Sequence, residues 1–178
     1  LLTPRIARAS LAEIPAGAIA EVQPASISIA GTIGTRLAAL GGAALIVDYG
    51  HGISAPGDTF QAVKAHAHAD PLEEPGRADL TVHVDFERLS AAAAAGGALA
   101  HGPVDQGSFL GRLGIGARAE RLARGARNGG ERAQIATALK RLTAPEEMGR
   151  LFKVLALTPP GRPAPPGFAP VPGFDADL

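Results

Sequence analysis

Several features are missing from this chain of 178 residues, and each absence excludes a class of protein. Cysteine is absent, which excludes disulfides, thiolate metal sites and a cysteine nucleophile. The 17 basic and 17 acidic side chains cancel, so no broad basic face for nucleic acid is expected. No apolar run reaches the roughly 20 residues that span a membrane. The opening LLTPRIARAS has no Met and is unlike a signal peptide, so we expect a fragment.

The stretch GGAALIVDYGHGISAPGDTFQAVKAH organises the chain. Its apolar segment, 43–47, follows glycine and stops on Asp48, Tyr49 and Gly50. A short apolar run of this kind predicts a strand that is buried on both faces, as in a parallel sheet. Because open α/β folds bind ligands at the carboxyl edge of the sheet, we expect the chemistry at 48–66.

Helical and strand patterns alternate along the rest of the chain. The first predicted elements are a short strand at 18–22, a helix from Pro24 with Ile29, Ile33, Leu37 and Leu40 on its buried face, the strand 43–47 and a long loop at 50–75. An extended piece at 79–85, a helix at 86–95, a strand at 98–104 and a helix at 106–124 broken near Gly114 follow. The last predicted elements are a turn at 128–130, a helical face at Ile135, Leu139 and Leu142, a capping box at 143–146 and a strand at 152–157. This order predicts an α/β fold, half of a doubly wound sheet with helices on both faces.

Several motifs in this order carry a family resemblance. They are EVQP (21–24), GGAALIVDYGH (41–51), GDTFQAVKAH (57–66), DP (70–71), ADLTVHVDF (78–86), GPVDQGSFLGRLGI (102–115) and APEEMGRLFKVLAL (144–157). Together they resemble the MidA family of class I S-adenosylmethionine-dependent methyltransferases, which includes an arginine methyltransferase that assists assembly of respiratory complex I. The resemblance covers about 18–157 and implies the C-terminal half of a Rossmann-like methyltransferase sheet. We expect a partial methyltransferase domain at 1–158 and an extended Pro/Gly-rich tail at 159–178.

The resemblance implies a cofactor, a substrate and a compartment. The cofactor is S-adenosylmethionine, and the partner is a protein substrate, a complex I subunit. The compartment is the bacterial cytoplasm, or the mitochondrial matrix in a eukaryote. The family's glycine-rich cofactor loop, its ribose-binding acid and an Asn-Glu-type motif lie in an N-terminal half that this sequence does not match. GTIGTR (31–36) cannot replace that loop, because it lies inside a predicted helix. We therefore expect this chain alone to be inactive.

Asp48, Tyr49 and His83 are the candidate catalytic residues. Asp48 would accept hydrogen bonds from a guanidinium, and Tyr49 would shape an apolar wall beside it. The alternative is that Asp48 caps the loop and Tyr49 fills the core. His83 shares a strand face with Asp85, so the two could form a His–Asp pair. The alternative is that Asp85 caps the next helix and His83 is a hydrogen-bonded spacer.

Further residues are candidates for binding the substrate. They are Gly50, His51, Asp58, Thr59, Gln61, His66 and Asp85. The segment that holds Asp58, Thr59 and Gln61 is either a lid over the substrate or an ordinary turn. No third ligand follows His66 and His68 at a usual spacing, so we predict no metal site.

Two alternative functions and one surface remain open. The chain could be a non-catalytic binding module for assembly, whose loop docks a partner. A hydrolase is disfavoured, because the sequence has no Gly-x-Ser-x-Gly elbow.

Four arginines recur at helical spacing, namely Arg118, Arg121, Arg124 and Arg127. They form either a solvated face or a patch for an acidic partner. We also predict self-association into homo-oligomers, because half a sheet leaves an apolar edge exposed.

Overall fold

A mixed central sheet and the helices around it make up the computed structural model, which describes residues 16–65 and 67–168. The helices are α1 (Pro24–Leu40), α2 (Phe86–Ala95), α3 (Gln106–Arg112), α4 (Ile115–Arg124), α5 (Gly129–Thr143) and α6 (Met148–Leu151). The strands are β1 (Ala44–His51), β2 (Gln61–Lys64), β3 (Ala67–Ala69), β4 (Asp79–Thr81), β5 (Val84–Asp85), β6 (Leu99–Asp105) and β7 (Phe152–Thr158). The predicted α/β class is confirmed.

The central sheet has the strand order β5-β1-β7-β6. β1 runs antiparallel to β7, in a register that pairs Ala44 with Leu157 and Tyr49 with Phe152. β6 is also antiparallel to β7, whereas β5 joins the other edge of β1 in parallel. A second sheet, in the order β3-β2-β4, is built from the segment between β1 and β5.

The main core lies between one sheet face and the helices α1 and α2. Leu155 and Leu157 of β7 are fully buried there and pack with Phe86 and other side chains of the two helices. The helices approach so closely that a Cβ on Gly34 would lie 2.2 Å from the carbonyl oxygen of Ala93. Gly34 therefore costs some helix propensity but permits this tight packing.

The opposite face of β7 is covered as well. Val154 and Ala156 point to that face and are buried. His101 pairs with Ala156 in the sheet register, and the Phe168 ring lies 6.5 Å from the His101 ring and 5.2 Å from that of Phe109 in α3. Helices on both faces of the sheet are therefore observed, and Phe168 of the Pro/Gly-rich segment packs against one of them.

The predicted buried face of α1 is partly wrong. Ile29 is 61% exposed and Leu40 is 77% exposed, although Leu37 is buried as predicted. The most buried positions also include Ala30 and Gly34. Small residues face α2 because the short distance between the helices leaves no room for isoleucine.

The prediction for β1 is also corrected in two ways. The strand does not stop at Val47 but continues through Asp48, Tyr49 and Gly50 to His51. It is not buried on both faces, because Leu45 is 56% exposed and Val47 is 46% exposed. The cause is alternation along the strand: Ala44 and Ile46 pack against the core under α1 and α2, so Leu45 and Val47 point to the opposite face of the sheet.

Four further local predictions are corrected. Residues 18–22 are not a strand, and the predicted loop 50–75 contains β2 and β3. The predicted turn at 128–130 starts α5, where the side chain of Asn128 accepts a hydrogen bond from the backbone of Glu131. The capping box at 143–146 does not form, since the Thr143 hydroxyl donates to the Leu139 carbonyl within α5.

Other boundaries agree with the patterns. β6 and β7 occupy the predicted segments, and Gly114, with a φ of 82°, separates α3 from α4. This left-handed conformation is one that glycine adopts without strain. Among the described residues, no helix is both long enough and apolar enough to cross a bilayer.

Candidate functional site

The carboxyl ends of β1 and β5 meet at one edge of the central sheet. The two strands pair there in parallel, Gly50 with Val84 and His51 with Asp85. A Cβ on Gly50 would lie 2.1 Å from the carbonyl oxygen of Val84, so only glycine allows the strands to approach this closely. Gly50 and His51, directly after Asp48 and Tyr49, thus join the two strands.

An aromatic cluster lies beside this junction. The Tyr49 ring meets the His83 ring edge-on, with centroids 5.8 Å apart and planes at 66°. It meets the Phe152 ring in the same way, at 5.6 Å and 79°. Such edge-to-face pairs stabilise by about 0.5–1.5 kcal/mol beyond the burial of their area. They fix the ends of β1, β5 and β7 relative to one another.

Thr59 is the centre of a hydrogen-bond network that holds the preceding loop in place. Its backbone N–H donates to Oε1 of Glu21 at 2.8 Å, and its hydroxyl donates to Oε2 of the same carboxylate at 2.5 Å. The hydroxyl oxygen also accepts from the backbone N–H of His83 at 3.0 Å. The Gln23 side chain continues the network, because it donates to the carbonyl of His83 and accepts from the N–H of Asp85.

Asp85 and Glu87 hold a second part of the loop. Asp85 caps α2 by accepting from the N–H of Arg88 at 3.1 Å, and its other oxygen accepts from the Ser54 hydroxyl at 2.7 Å. The backbone N–H of Ser54 donates to Glu87 at 2.6 Å. That hydrogen bond is the main reason that the pKa of Glu87 lies below its ordinary value, while burial opposes it. Nε2 of His51 lies 3.8 Å from Asp85.

Asp48 differs from these carboxylates, because only one of its two carboxylate oxygens accepts a hydrogen bond. Its Oδ1 accepts from the backbone N–H of Tyr49 at 2.8 Å. Throughout the described residues, no hydrogen bond or ion pair reaches Oδ2, although the side chain is half-buried. Alternation along β1 places Asp48 on the sheet face that α1 and α2 cover and Tyr49 on the other.

The structure brings together many of the residues that the sequence singles out. The network or its neighbouring strand pair contains Tyr49, Gly50, His51, Thr59, His83 and Asp85. Asp58 is instead exposed in the loop, and Gln61 belongs to the second sheet. His66 lies outside the described residues.

The predicted His83–Asp85 pair is replaced by a different arrangement. His83 contacts the Tyr49 ring, and the histidine beside Asp85 is His51. Asp85 is the N-cap of α2, as the alternative interpretation proposed. The reason is geometric: β5 pairs with the end of β1, and this pairing brings His51 next to Asp85.

Sequence reasoning missed four members of the network. They are Glu21, Gln23, Ser54 and Glu87. For two of them a signal existed, since the motif EVQP contributes to the family resemblance. Nothing in the local sequence marks Ser54 or Glu87, which meet across 33 positions of the chain.

A cavity of about 370 Å³ opens between the N-terminal ends of α1 and α2. Its lining combines apolar and charged side chains, among them Val22, Ile27, Glu21, Asp85 and Arg88. The cavity lies on the sheet face to which Asp48 points, although Asp48 is not one of its lining residues. The network thus borders an open space.

The described residues do not fit the nucleotide part of S-adenosylmethionine. GTIGTR (31–36) lies within α1, and its Gly34 packs against Ala93 instead of forming a loop after a strand. A nucleotide loop needs a strand, a glycine turn and a helix in that order. In the described part of the chain, no group of three or more His, Asp or Glu residues could hold a metal ion.

The mixed sheet, with helices on both faces and a polar carboxyl edge, defines a Rossmann-like α/β protein. A family model described as "Putative S-adenosyl-L-methionine-dependent methyltransferase" matches residues 3–104, and the chain belongs to this family. The resemblance noted from the motifs is therefore confirmed.

Two curated relatives are named as mitochondrial arginine methyltransferases. "Protein arginine methyltransferase NDUFAF7 homolog, mitochondrial" of Drosophila melanogaster is 43% identical over 130 residues, which are 72% of this chain and 29% of the relative. "Protein arginine methyltransferase NDUFAF7, mitochondrial" of Homo sapiens is 37% identical over 139 residues, 78% of this chain and 31% of the relative. The chain thus spans about a third of the length of these relatives.

Two solved structures from Burkholderia thailandensis share the fold. The match to the first has a TM-score of 0.73 and 28% identity, and it covers 92% of this chain and 46% of that protein. The second is bound to S-adenosyl-homocysteine. The match to it has a TM-score of 0.71 and 29% identity, and it covers 92% of this chain and 45% of that protein. S-adenosylmethionine is therefore the cofactor of the family to which this chain belongs.

Proposed function

We propose that this chain is the substrate-side part of an S-adenosylmethionine-dependent protein arginine methyltransferase. The observation that carries the proposal is the half-buried Asp48 carboxylate, which keeps one oxygen uncommitted near the carboxyl edge of the sheet. The names of the relatives supply the class of substrate. The comparisons give no support to a non-catalytic binding module.

Asp48 would accept hydrogen bonds from the guanidinium of the substrate arginine. A carboxylate suits this group, because the two can form parallel, charge-assisted hydrogen bonds. An arginine nitrogen must also lose a proton on methylation, and a carboxylate in contact with it can take that proton. The carboxylates of Glu21, Asp85 and Glu87 already accept hydrogen bonds from Thr59, Arg88 and Ser54, so they have less capacity for a substrate.

The remaining predicted site residues would position the edge and line its approach. Tyr49 and His83 contact each other and hold the strand ends that carry Asp48. Gly50 and His51 join β1 to β5, while Thr59 fixes the loop. We further propose that Asp58, Gln61 and His66 belong to the segment that closes over the substrate.

The finer assignments follow from the resemblance. The substrate would be an arginine of a respiratory complex I subunit, and the compartment would be the mitochondrial matrix or the bacterial cytoplasm. The printed names of the relatives support a protein substrate and a mitochondrial setting for those proteins.

A chimera tests the proposal, because the chain spans only part of its relatives. The matching segment of the Drosophila relative would be replaced by the 130 residues of this chain that align with it. With labelled S-adenosylmethionine and a complex I subunit, we expect label on arginine. Cofactor binding by calorimetry verifies that the chimera is folded. The proposal would be contradicted if a folded chimera bound the cofactor but labelled only lysine or transferred no label at all.

A further inference from the structure

The helical hairpin made of α4 and α5 is the most basic part of the chain. Between residues 115 and 143 there are seven Arg or Lys residues and two Glu residues. The rest of the chain holds ten basic and fifteen acidic side chains, so basic and acidic residues are unevenly distributed although the formal net charge is zero. A concentrated patch of one sign attracts partners of the opposite sign.

The hairpin projects from the central sheet. Neither α4 nor α5 has a buried residue, and the main contacts of the hairpin outside itself are with α3 and α6. Most of its surface is therefore accessible.

An apolar groove of about 200 Å³ runs between the two helices. Its apolar lining consists of Ile115, Ala119 and Leu122 from α4 and of Ile135, Ala138, Leu139 and Leu142 from α5. Leu122 is 49% exposed, so this lining faces solvent and is not a closed core. A groove of this kind can receive the apolar side chains of a helix laid along it.

One arginine lines the groove, and two more lie one helical turn from lining residues. Arg118 is itself part of the lining. Arg121 lies one helical turn beyond Arg118, and Arg141 lies one turn beyond the lining residue Ala138. Among the described residues, no carboxylate forms an ion pair with these three arginines, whereas Arg127 pairs with Glu131.

We propose that the groove between α4 and α5 binds an acidic amphipathic helix of a partner protein. The apolar stripe of that helix would enter the groove, and its flanking carboxylates would meet Arg118, Arg121 and Arg141. The apolar lining disfavours nucleic acid, whose backbone binds through charge and polar contacts. The concave shape disfavours a lipid surface, which binds protruding apolar side chains.

Fluorescence anisotropy of the full 178-residue chain with a designed peptide tests this proposal. The peptide is a helix of about 18 residues with leucine at helical spacing and flanking glutamates, and its matched control carries glutamine instead. We expect the glutamine peptide to bind at least about tenfold more weakly. The double variant Arg118→Glu, Arg121→Glu should bind the glutamate peptide more weakly than the parent by a similar factor. The matched variant Arg36→Glu, Arg162→Glu, with both changes outside the hairpin, should bind normally.

The groove itself is tested by Ala138→Phe, which places a large side chain into it. We expect this variant to bind both peptides more weakly, while circular dichroism shows an intact fold. The proposal is overturned if the glutamate peptide does not bind at low salt, or if Ala138→Phe leaves its binding unchanged. It is equally overturned if anionic vesicles or single-stranded DNA bind more tightly than the peptide. A dimer in light scattering that Arg118→Glu, Arg121→Glu dissociates would assign the groove to a second copy instead.

Discussion

The sheet edge and the helical hairpin of this protein are built in opposite ways. The edge joins segments that lie far apart in the chain, through the strand pair at Gly50 and the hydrogen bonds of Thr59. The hairpin consists of two consecutive helices without a buried residue. Their charges differ as well: residues 48–88 hold eight acidic and three basic side chains, whereas the hairpin is basic. The charge of each region suits the ligand proposed for it, a substrate guanidinium at the acidic edge and an acidic helix at the basic hairpin.

The largest expected difference between the two regions concerns burial. Leu155→Ala removes a fully buried side chain under α1 and α2 and should lower the free energy of unfolding by about 2–5 kcal/mol. Leu122→Ala in the hairpin should cost less than about 1 kcal/mol, because that side chain is half exposed. Urea denaturation of both variants measures the difference. Equal losses would show that the hairpin is part of the cooperative core.

A matched pair of glycine substitutions sharpens the comparison. Gly50→Ala places a Cβ against the Val84 carbonyl and should destabilise by about 1–3 kcal/mol by forcing β1 away from β5. Gly116→Ala in α4 meets no atom within 4 Å and should stabilise by up to about 1 kcal/mol through helix propensity. Thermal unfolding of both variants measures whether each is less or more stable than the parent. If Gly50→Ala were as stable as the parent, the close strand pair would not exist.

Thr59 provides a test of the network. Thr59→Val removes the hydroxyl shared by Glu21 and His83, and we expect a loss of about 1–2 kcal/mol. Thr137→Val on the exposed surface of α5 should change stability by less than about 0.5 kcal/mol. NMR adds a readout of position: only Thr59→Val should shift the ring resonances of Tyr49. Unchanged Tyr49 resonances would rule out the network as the element that orders the edge.

The smallest expected effect concerns pH and salt. The pKa of Glu87 is lowered mainly by the backbone N–H of Ser54, and that of Glu131 mainly by the side chain of Arg127. A glutamate whose pKa is lower in the folded than in the unfolded state stabilises the fold at pH values above its unfolded-state pKa of about 4.3. This stabilisation is lost as the pH falls through the lower pKa of the folded state.

Salt separates these two glutamates. About 1 M salt shortens the screening length to about 3 Å, so it should raise the pKa of Glu131 towards its ordinary value more than that of Glu87. Carboxyl carbon NMR titrations at two salt concentrations measure both. A larger salt response at Glu87 would mean that charge, not the Ser54 hydrogen bond, lowers its pKa.

The comparison also shows which parts of the molecule the sequence could predict. The helix break at Gly114 and the strands β6 and β7 follow from local glycine signals and from alternation of apolar residues. The Asn128 cap was missed although it is local, because Asn-Gly-Gly is also a turn signal. The exposed side of β1 has no local signal, because an apolar run does not reveal which face of the sheet the helices cover.

The site was predicted less completely than the fold. Asp48, Tyr49, His83 and Asp85 were identified because polar residues follow or interrupt apolar runs. Their arrangement could not be derived, since it depends on contacts between distant positions such as Glu21 with Thr59 and Gln23 with His83. The pairing of His51 with Asp85 follows only from the register of β1 and β5.

The most direct test of the account is the effect of Asp48→Asn in the chimera with the Drosophila relative. Cofactor affinity and kcat/KM for the arginine substrate would be measured together, with Asp79→Asn on exposed β4 as the matched control. We predict an unchanged Kd for S-adenosylmethionine and a kcat/KM that falls by about 100-fold or more, since the proton acceptor is lost. Full methyl transfer by Asp48→Asn, or an equal loss in Asp79→Asn, would contradict the account.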